Sequence, residues 1–445
     1  MSGEVGSVSP VSLIATLCLG VLLLFLPRRY ALLPLLVAAC YMTLGQSLVI
    51  GGYHFHMTRI LIAFGLIRIT VRREIFTANL NAIDKIFIAV VSVDSFLFVL
   101  FSGETELVNE RLGAAYNAFG VYTLVRVVIR NFDDILLTVK MLGVLMIPLS
   151  VPFIIEYMTG TNPFFVFGGV PEFTEIREGK LRCQGPFAHP ILAGTFAATA
   201  FPLFVGLWSY GRDNRVLAAS AILVATFIVV VSSSSGPLLA YVGSIVGLGC
   251  WHVRTRMRQI RWGIALMLLM LHMLMKAPVW FLMSRIADVT GGSGWYRSAL
   301  IDAFVNHIHE WWLIGTSYTA HWMPTGIAIN PKMTDIVNQY VSEGVKGGVL
   351  ALGLFIWLIA KCFQSIGKAV RDEGRFSQPQ RFFIWSLGCA LFAHVLSFFS
   401  VAYFDQLAIF WYMIIGMSAC LVEPLSKRRS VKALLRRKNM QLCSA

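Results

Sequence analysis

Two stretches of the chain place ionisable side chains beside apolar ones in a pattern that suits anion binding. In LRCQGPFAHPILAG, residues 181 to 194, Arg182 and His189 flank the predicted start of an apolar helix. Prolines favour that start, and the free backbone N–H groups and dipole of a helix N-terminus attract phosphate. The stretch therefore predicts a phosphate site. The alternative is a capped helix entry whose Arg182 contacts only lipid headgroups.

The second stretch is GWYRSALIDAFVNHIHEWW, residues 294 to 312. Its apolar residues recur at spacings of three and four, which predicts an amphipathic helix on or in the membrane surface. Arg297 projects from the middle of the apolar face, where a lipid-facing cation near the membrane centre costs about 3 kcal/mol. We expect Arg297 to face a protein cavity, a partner or an anionic ligand, unless it snorkels to the headgroups. The opposite face carries Ser298, Asp302, Asn306, His309 and Glu310.

Two further segments offer weaker candidates for ligand contact. Arg59 follows His54 and His56 at the outer end of an apolar run and is either a third cation of the site or an interfacial anchor. SSSSGP, residues 232 to 237, falls between two apolar runs. Ser235 there is a candidate ligand contact, although a bland turn with a capping hydroxyl is the alternative.

A candidate general base precedes a late apolar run. TDIVNQY, residues 334 to 340, brings Asp335, Asn338 and Tyr340 to the outer side, and Asp335, Asn338 and Gln339 follow at helical spacing. Burial would raise the pKa of a carboxyl there toward the working pH of a base. The same aspartate is equally suited to cap a helix without chemistry.

Composition identifies the elements that must position these residues. The 445 residues are 57% hydrophobic and 13% charged, and several runs approach the roughly 20 apolar residues that cross a bilayer. We predict an all-α polytopic membrane protein of about 12 to 13 transmembrane helices, the first of them retained rather than cleaved. The predicted spans are 11–27, 31–50, 57–71, 82–101, 112–129, 132–157, 186–210, 214–231, 236–253, 261–283, 341–363, 381–402 and 405–423.

The distribution of basic residues sets the predicted topology. The net charge of +14 lies mostly in short segments between apolar runs and in a tail at 427–438. This pattern is typical of cytoplasmic loops that face anionic lipid rather than of nucleic-acid binding. With the N-terminus outside, every basic cluster falls inside, and two long segments, 158–185 and 284–340, fall outside. The predicted units are an N-terminal bundle (1–157), a core with both outer loops (158–366) and C-terminal helices with a basic cytoplasmic tail (367–445).

Several motifs are missing from the sequence. It contains no GxxxxGK[ST] loop, which argues against ATP hydrolysis. It contains no HExxH motif, no CxxC pair and no clustered His/Cys spacing, so no metal or other cofactor is expected. Arg68 and Asp94 lie in neighbouring predicted spans, and we expect them to pair.

The order LRCQGPFAHPILAG, SSSSGP, GWYRSALIDAF with WWLIGT, and DIVNQYVSEGVKGG resembles the O-antigen ligase and Wzy-type polymerase superfamily over roughly residues 180 to 360. Members are metal-independent, membrane-embedded glycosyltransferases with a large periplasmic loop late in the chain. The resemblance implies that Arg297 handles the donor diphosphate and that Arg182 opens the RxxGxFxHP-like motif. Family ligases have Ser-Arg where this chain has SSSSG, and a His-Asn pair where it has DIVNQ. Asp335 or His321 would therefore replace the missing histidine as base.

The resemblance implies a function and a location. The chain would move a glycan from a polyprenyl diphosphate to an acceptor hydroxyl, with inversion and without metal, on the periplasmic face of a bacterial inner membrane. The acceptor would be a lipid-A-type core of lipopolysaccharide, another glycan chain in a polymerase, or a protein. Membrane lipids are the other expected partners, and nucleic acid is not one. The alternatives are a transporter or flippase of lipid-linked glycan, which usually shows internal repeats that this chain lacks, and a structural subunit.

Overall fold

The computed structural model describes residues 9–43, 46–50, 53–74, 80–102, 105–285, 294–323, 328–330 and 332–422. The chain is 78% helical. The predicted cytoplasmic tail at 427–438 lies outside the described residues. The helices are α1 (Pro10–Phe25), α2 (Leu33–Tyr41), α3 (Met57–Val71), α4 (Ala82–Ser102), α5 (Thr105–Val128), α6 (Phe132–Thr159), α7 (Pro190–Tyr210), α8 (Arg215–Val231), α9 (Ser235–Gly249), α10 (Met257–Leu274), α11 (Gly294–Asn306), α12 (Ile308–Trp311), α13 (Gln339–Arg371), α14 (Gln378–Ser397) and α15 (Asp405–Cys420).

Five helical segments among the described residues are long and apolar enough to cross a membrane. They are Phe132–Thr159, Pro190–Tyr210, Arg212–Val231, Ser235–Leu274 and Gln339–Arg371. Pro10–Phe25 and Gln406–Cys420 are apolar but shorter. The helical content and these segments agree with an all-α membrane protein, whereas the total of 12 to 13 spans stays a prediction.

One apolar core joins helices from α2 to α15, so it draws on all three predicted units of the chain. Helix α7 lies at its centre, with 83% of its membrane-length window buried, and packs against α8, α9 and α14. Helix α10 is the opposite case, because none of its residues is buried although Trp262, Leu269 and Met273 are large and apolar. Such a surface suits contact with lipid tails.

Local sequence explains where the central helices begin and end. Asn131 caps α6 by accepting a hydrogen bond from the Asp134 backbone, and the left-handed Gly160 ends the helix. His189 caps α7 in the same way, followed at once by Pro190. The predicted starts of these helices are thus stabilised by the residue types that favour them.

The predicted pairing of Arg68 with Asp94 is wrong. Arg68 is 1% exposed and donates to both carboxylate oxygens of Glu74, at 2.8 and 2.7 Å, and to the carbonyls of Leu23 and Leu26. Glu74 lies just after the end of α3 and pairs with an arginine of the same helix. The positions of charges on neighbouring spans indicate only partners on another span, so they did not predict this pair.

Short hairpins add a β component that the sequence interpretation missed. The strands are β1 (Ser47–Ile50), β2 (Tyr53–His56), β3 (Glu175–Arg177), β4 (Lys180–Arg182), β5 (Ala328–Asn330) and β6 (Met333–Thr334), paired in sequence order as three antiparallel hairpins. In the second, Glu178 and Gly179 both have positive φ, 52° and 73°. That geometry is the two-residue turn whose twist matches antiparallel strands. The turn brings Arg177 and Arg182 onto adjacent strands.

Helix α13 is interrupted near its start. Gly347 and Gly348 depart from helical geometry, and Gly348 has φ 67°, which favours glycine. The backbone of the preceding loop fills the break: Thr316 N donates to Val345 O at 2.8 Å, and Val349 N donates to Trp312 O at 2.9 Å. The second predicted outer segment is therefore anchored directly to this helix.

Candidate functional site

Three arginines from two parts of the chain lie near one another, and we call them the basic cluster. Arg177 on β3 and Arg182 on β4 belong to one hairpin, and Arg297 lies on α11. Arg297 interacts electrostatically with both of the others. Hydroxyls from the SSSSGP turn between α8 and α9 lie against them, because Ser234 contacts Arg182 and Ser235 contacts Arg297. The structure thus brings together three of the stretches singled out in the sequence.

Arg297 is buried without a counter-charge. It is 9% exposed, and its Nη1 donates one long hydrogen bond to Ser235 Oγ at 3.4 Å. Its buried Nε has no hydrogen-bond partner, and within the described residues no carboxylate pairs with it. Burial, together with the charges of Arg177 and Arg182, lowers the pKa of Arg297 to about 10. The side chain remains cationic at neutral pH in an environment that disfavours its charge.

Arg182 ties the hairpin to the helical turn. Its Nη1 donates to both carboxylate oxygens of Glu175, at 2.9 and 2.8 Å, and its Nη2 donates to Ser234 Oγ at 3.0 Å. Arg182 is 5% exposed, whereas the Glu175 side chain is 44% exposed. The partner carboxylate is therefore at the surface, where water competes for it.

His189 reaches the same neighbourhood from the start of α7. Its Nδ1 accepts a hydrogen bond from Ile191 N at 3.1 Å, so the proton of the neutral ring sits on Nε2. Desolvation and the charges of Arg182 and Arg177 lower the pKa of His189. The ring thus offers an N–H donor rather than another full charge at neutral pH.

A buried carboxylate on α6 holds the backbone of the LRCQG segment in place. Glu156 is fully buried and accepts hydrogen bonds from Gln184 N at 3.0 Å, Gly185 N at 2.8 Å and Thr174 Oγ1 at 3.1 Å. Gly185 has φ 55°, and a β-carbon there would collide with Phe153. These contacts explain why a polar, glycine-containing stretch precedes α7. The backbone of that stretch is held by Glu156, and this fixes the position of Arg182.

Gly236 lies beside Arg297 and has no side chain to cover it. A β-carbon at Gly236 would collide with Ser400 and would lie 3.8 Å from Arg297 Nη2. The small residue leaves the guanidinium edge uncovered by side chain at this point, as an anion site requires.

The structure places the segment before α13 beside the helix that carries Arg297. The hydroxyl of Tyr296 donates to Asp335 O at 2.7 Å, and burial raises the pKa of the Asp335 carboxyl. Asn338 is the N-cap of α13 and accepts from Tyr340 N and Val341 N. The Tyr340 hydroxyl donates to Val395 O at 3.2 Å. The contacts of Asn338 and Tyr340 are structural, while Asp335 contacts α11 through its backbone carbonyl.

Two predicted site residues make their contacts elsewhere. His321 Nε2 lies 2.9 Å from Glu310 Oε1, and its ring stacks on Tyr318. The guanidinium of Arg59 packs where a β-carbon on Gly113 of α5 would stand. Neither residue makes a described contact with the basic cluster.

The predicted amphipathic helix is shorter than expected. Helix α11 ends at Asn306, and α12 begins at Ile308. The apolar face of α11, which includes Phe304, packs on protein, against Trp311, Trp322 and Val345. Arg297 is consequently surrounded by protein, which is one of the environments expected from the sequence.

Sequence reasoning missed Arg177, Glu175, Ser234 and Glu156. The Glu-Gly turn inside EIREGKLR signals a hairpin, which would have placed Arg177 and Arg182 on neighbouring strands and paired Glu175 with Arg182. No local sequence pattern predicts the role of Glu156, because its hydrogen-bond partners lie 18 to 29 residues away.

The arrangement is suited to bind a multiply charged anion. Arg182 pairs with the surface carboxylate of Glu175, and among the described residues Arg297 lacks the carboxylate partner that a buried charge normally has. Hydroxyls and the N–H of His189 add neutral donors, a combination that matches phosphate oxygens. No protein-family model matches the chain, and no curated protein matches it at a significant level.

Proposed function

We propose that the protein is a glycosyltransferase that moves a glycan from a polyprenyl-diphosphate carrier to an acceptor hydroxyl on the periplasmic side of the inner membrane. The reaction is inverting and metal-independent, and the enzyme resembles O-antigen ligases. Ligase and Wzy-type polymerase activity share this chemistry and differ in the acceptor.

The observation that carries the proposal is the buried, unpartnered Arg297 within the basic cluster. A diphosphate supplies the negative charge that the three guanidiniums lack. Its charge grows as the glycosyl bond breaks, so cations fixed in a desolvated site stabilise the transition state more than the ground state. The apolar surroundings and the membrane-length helices suit the polyprenyl chain.

The residues divide the reaction between them. The acceptor oxygen forms a bond to the anomeric carbon while the bond from that carbon to the diphosphate oxygen breaks. Polyprenyl diphosphate leaves with the electron pair, held by Arg297, Arg182 and Arg177. Asp335, whose raised pKa suits a base, takes the proton of the acceptor hydroxyl. His189 and Ser235 donate hydrogen bonds to phosphate oxygens.

The test is release of polyprenyl diphosphate by purified protein in detergent. Donor lipid and candidate acceptors are supplied in EDTA, and wild type is compared with Arg297→Ala. Arg215→Ala, which removes an exposed arginine far along the chain, is the matched control. We expect turnover by wild type and the control, and at least a tenfold loss in Arg297→Ala, about 1.4 kcal/mol of transition-state stabilisation.

The outcomes separate the alternatives. If wild type binds the donor and never releases the carrier with any acceptor, a transporter of lipid-linked glycan replaces the enzyme. If turnover requires added Mg²⁺ or Mn²⁺, the metal-independent mechanism is wrong. Product linkage by NMR completes the test, since retention at the anomeric carbon contradicts a single displacement.

A further inference from the structure

A second constellation lies in the outer segment after α11 and is independent of the basic cluster. We call it the His–Glu cluster, and it consists of His307, Glu310 and His321. His307 lies between α11 and α12, Glu310 lies on α12, and His321 lies in a one-turn 3-10 helix, Ala320–Trp322. One ligand atom from each of the three residues lies within 4.8 Å of the others. The loop returns 11 residues after Glu310 to bring His321 against it.

The protonation of His307 leaves a lone pair available. Its Nδ1 lies 2.8 Å from Ala303 O, and because a carbonyl only accepts, Nδ1 carries the proton. Nε2 of the neutral ring is then a free acceptor. A histidine that donates one N–H to a backbone carbonyl and presents the other nitrogen is the usual arrangement of a metal ligand.

Glu310 is oriented in the same manner. Its Oε2 accepts from Trp322 Nε1 at 2.9 Å, which leaves Oε1 directed at His321. Partial burial would raise the pKa of Glu310, but the hydrogen bonds from Trp322 and His321 outweigh it and keep that pKa below its ordinary value. The carboxylate is therefore ionised and held by a second residue.

Aromatic rings form the walls around the imidazoles. Trp322 stacks on His307 with ring centroids 5.7 Å apart, and Tyr318 stacks on His321 at 5.1 Å. The side chains of Glu310 and His321 remain 25% and 37% exposed, so an ion can enter from solvent. Two imidazoles and one carboxylate are the donor set that favours Zn²⁺ over Mg²⁺ or Ca²⁺.

We infer that His307 Nε2, Glu310 Oε1 and His321 bind one Zn²⁺ ion, with the fourth coordination position open to water. Binding replaces the hydrogen bond between His321 and Glu310, and the neutral His321 ring then carries its proton on the nitrogen that does not bind the ion. The ligand atoms then close to about 3.3 Å from one another, as bonds of 2.0 to 2.1 Å in a tetrahedron require. The ion clamps α12 to the turn at 320–322 and restrains the outer loop. It stands about 15 Å along the chain from Arg297, given ten residues at helical rise, and is not assigned to glycan transfer.

The test measures metal binding and needs no glycan. Full-length protein carrying a tag without histidine is stripped with EDTA, dialysed and titrated with ZnCl₂, and bound zinc is counted by mass spectrometry. We expect one ion per chain in wild type and at least a tenfold weaker site in His307→Ala and Glu310→Gln. His252→Ala, which removes an exposed histidine outside the cluster, should bind as wild type does.

A milder variant guards against misfolding. Trp322→Phe keeps an aromatic ring at this position and removes the indole N–H that orients Glu310, so we expect 10- to 100-fold weaker binding. Co²⁺ in place of zinc should give the intense visible absorption of a tetrahedral site in wild type and His252→Ala, and not in His307→Ala. Equal zinc binding by wild type and His307→Ala, or none by wild type, overturns the inference. Neither result bears on carrier release in the transferase assay.

Discussion

Replacement of Arg297 by methionine should stabilise the ligand-free protein. The lowering of the Arg297 pKa to about 10 means that the folded state disfavours the charged guanidinium by about 3 kcal/mol. For a cation whose pKa is lower in the folded state, that penalty is present at every pH below the folded value, including pH 7. The lost interaction is one 3.4 Å hydrogen bond to Ser235, worth about 1 kcal/mol at most. The expected net gain is about 2 kcal/mol.

Arg68 provides the matched control. It is even more deeply buried than Arg297, but Glu74 and two backbone carbonyls satisfy it. Arg68→Met should therefore lower stability by about 3 to 5 kcal/mol, because it leaves a paired carboxylate and carbonyls without their partner. Removing a buried arginine should thus have opposite signs at the two positions.

Thermal unfolding in detergent, followed by tryptophan fluorescence, measures both changes. Inorganic diphosphate is added in a second series, and at 100 times its Kd it should raise the stability of wild type by about 2.7 kcal/mol. Arg297→Met should lose most of that gain. A fall in the unfolding temperature of Arg297→Met comparable to that of Arg68→Met would show that Arg297 is a structural residue, and the reasoning would be refuted.

Three further changes probe the neighbours of the basic cluster. Glu175→Gln removes the surface carboxylate that neutralises Arg182, so inorganic diphosphate should inhibit carrier release at a several-fold lower concentration. An unchanged inhibition constant would contradict the proposed anion site. Glu156→Gln weakens the acceptor of two backbone N–H groups; unfolding temperature should fall by the equivalent of about 1 to 3 kcal/mol, and a shift no larger than that of an exposed control would be contrary evidence. Asp335 must be deprotonated to act as base, so kcat/KM should fall as pH drops through its raised pKa; if Asp335→Asn retains both the rate and this acid limb, another group is the base.

Hydrophobic runs and glycine or proline positions were enough to predict the helical class and most helix starts. The start of α7 follows from His189 and Pro190, and the connection between α8 and α9 follows from SSSSGP. Both signals are local, because capping and turn formation involve residues within one helical turn.

Contacts between a helix and residues outside it were not predictable in this way. Arg68 pairs with Glu74, six residues later and beyond the end of the same helix. Glu156 binds the backbone of Gly185, 29 residues later. Helical periodicity placed Arg297 on an apolar face but could not say that the face packs on protein. The His–Glu cluster escaped because its third member returns on a loop rather than on the same helix.

The break at Gly347 and Gly348 has a consequence for how the protein is assembled in the cell. Apolar lipid offers no hydrogen bonds to the backbone groups of an interrupted helix, and here Trp312 and Thr316 of the preceding loop supply them. Translation delivers that loop before α13, so the first turns of α13 can reach their final form only when the loop is in place. Folding of residues 294 to 323 is therefore a step on which the assembly of α13 depends. Mutations that unfold this loop should thus leave the start of α13 incompletely folded.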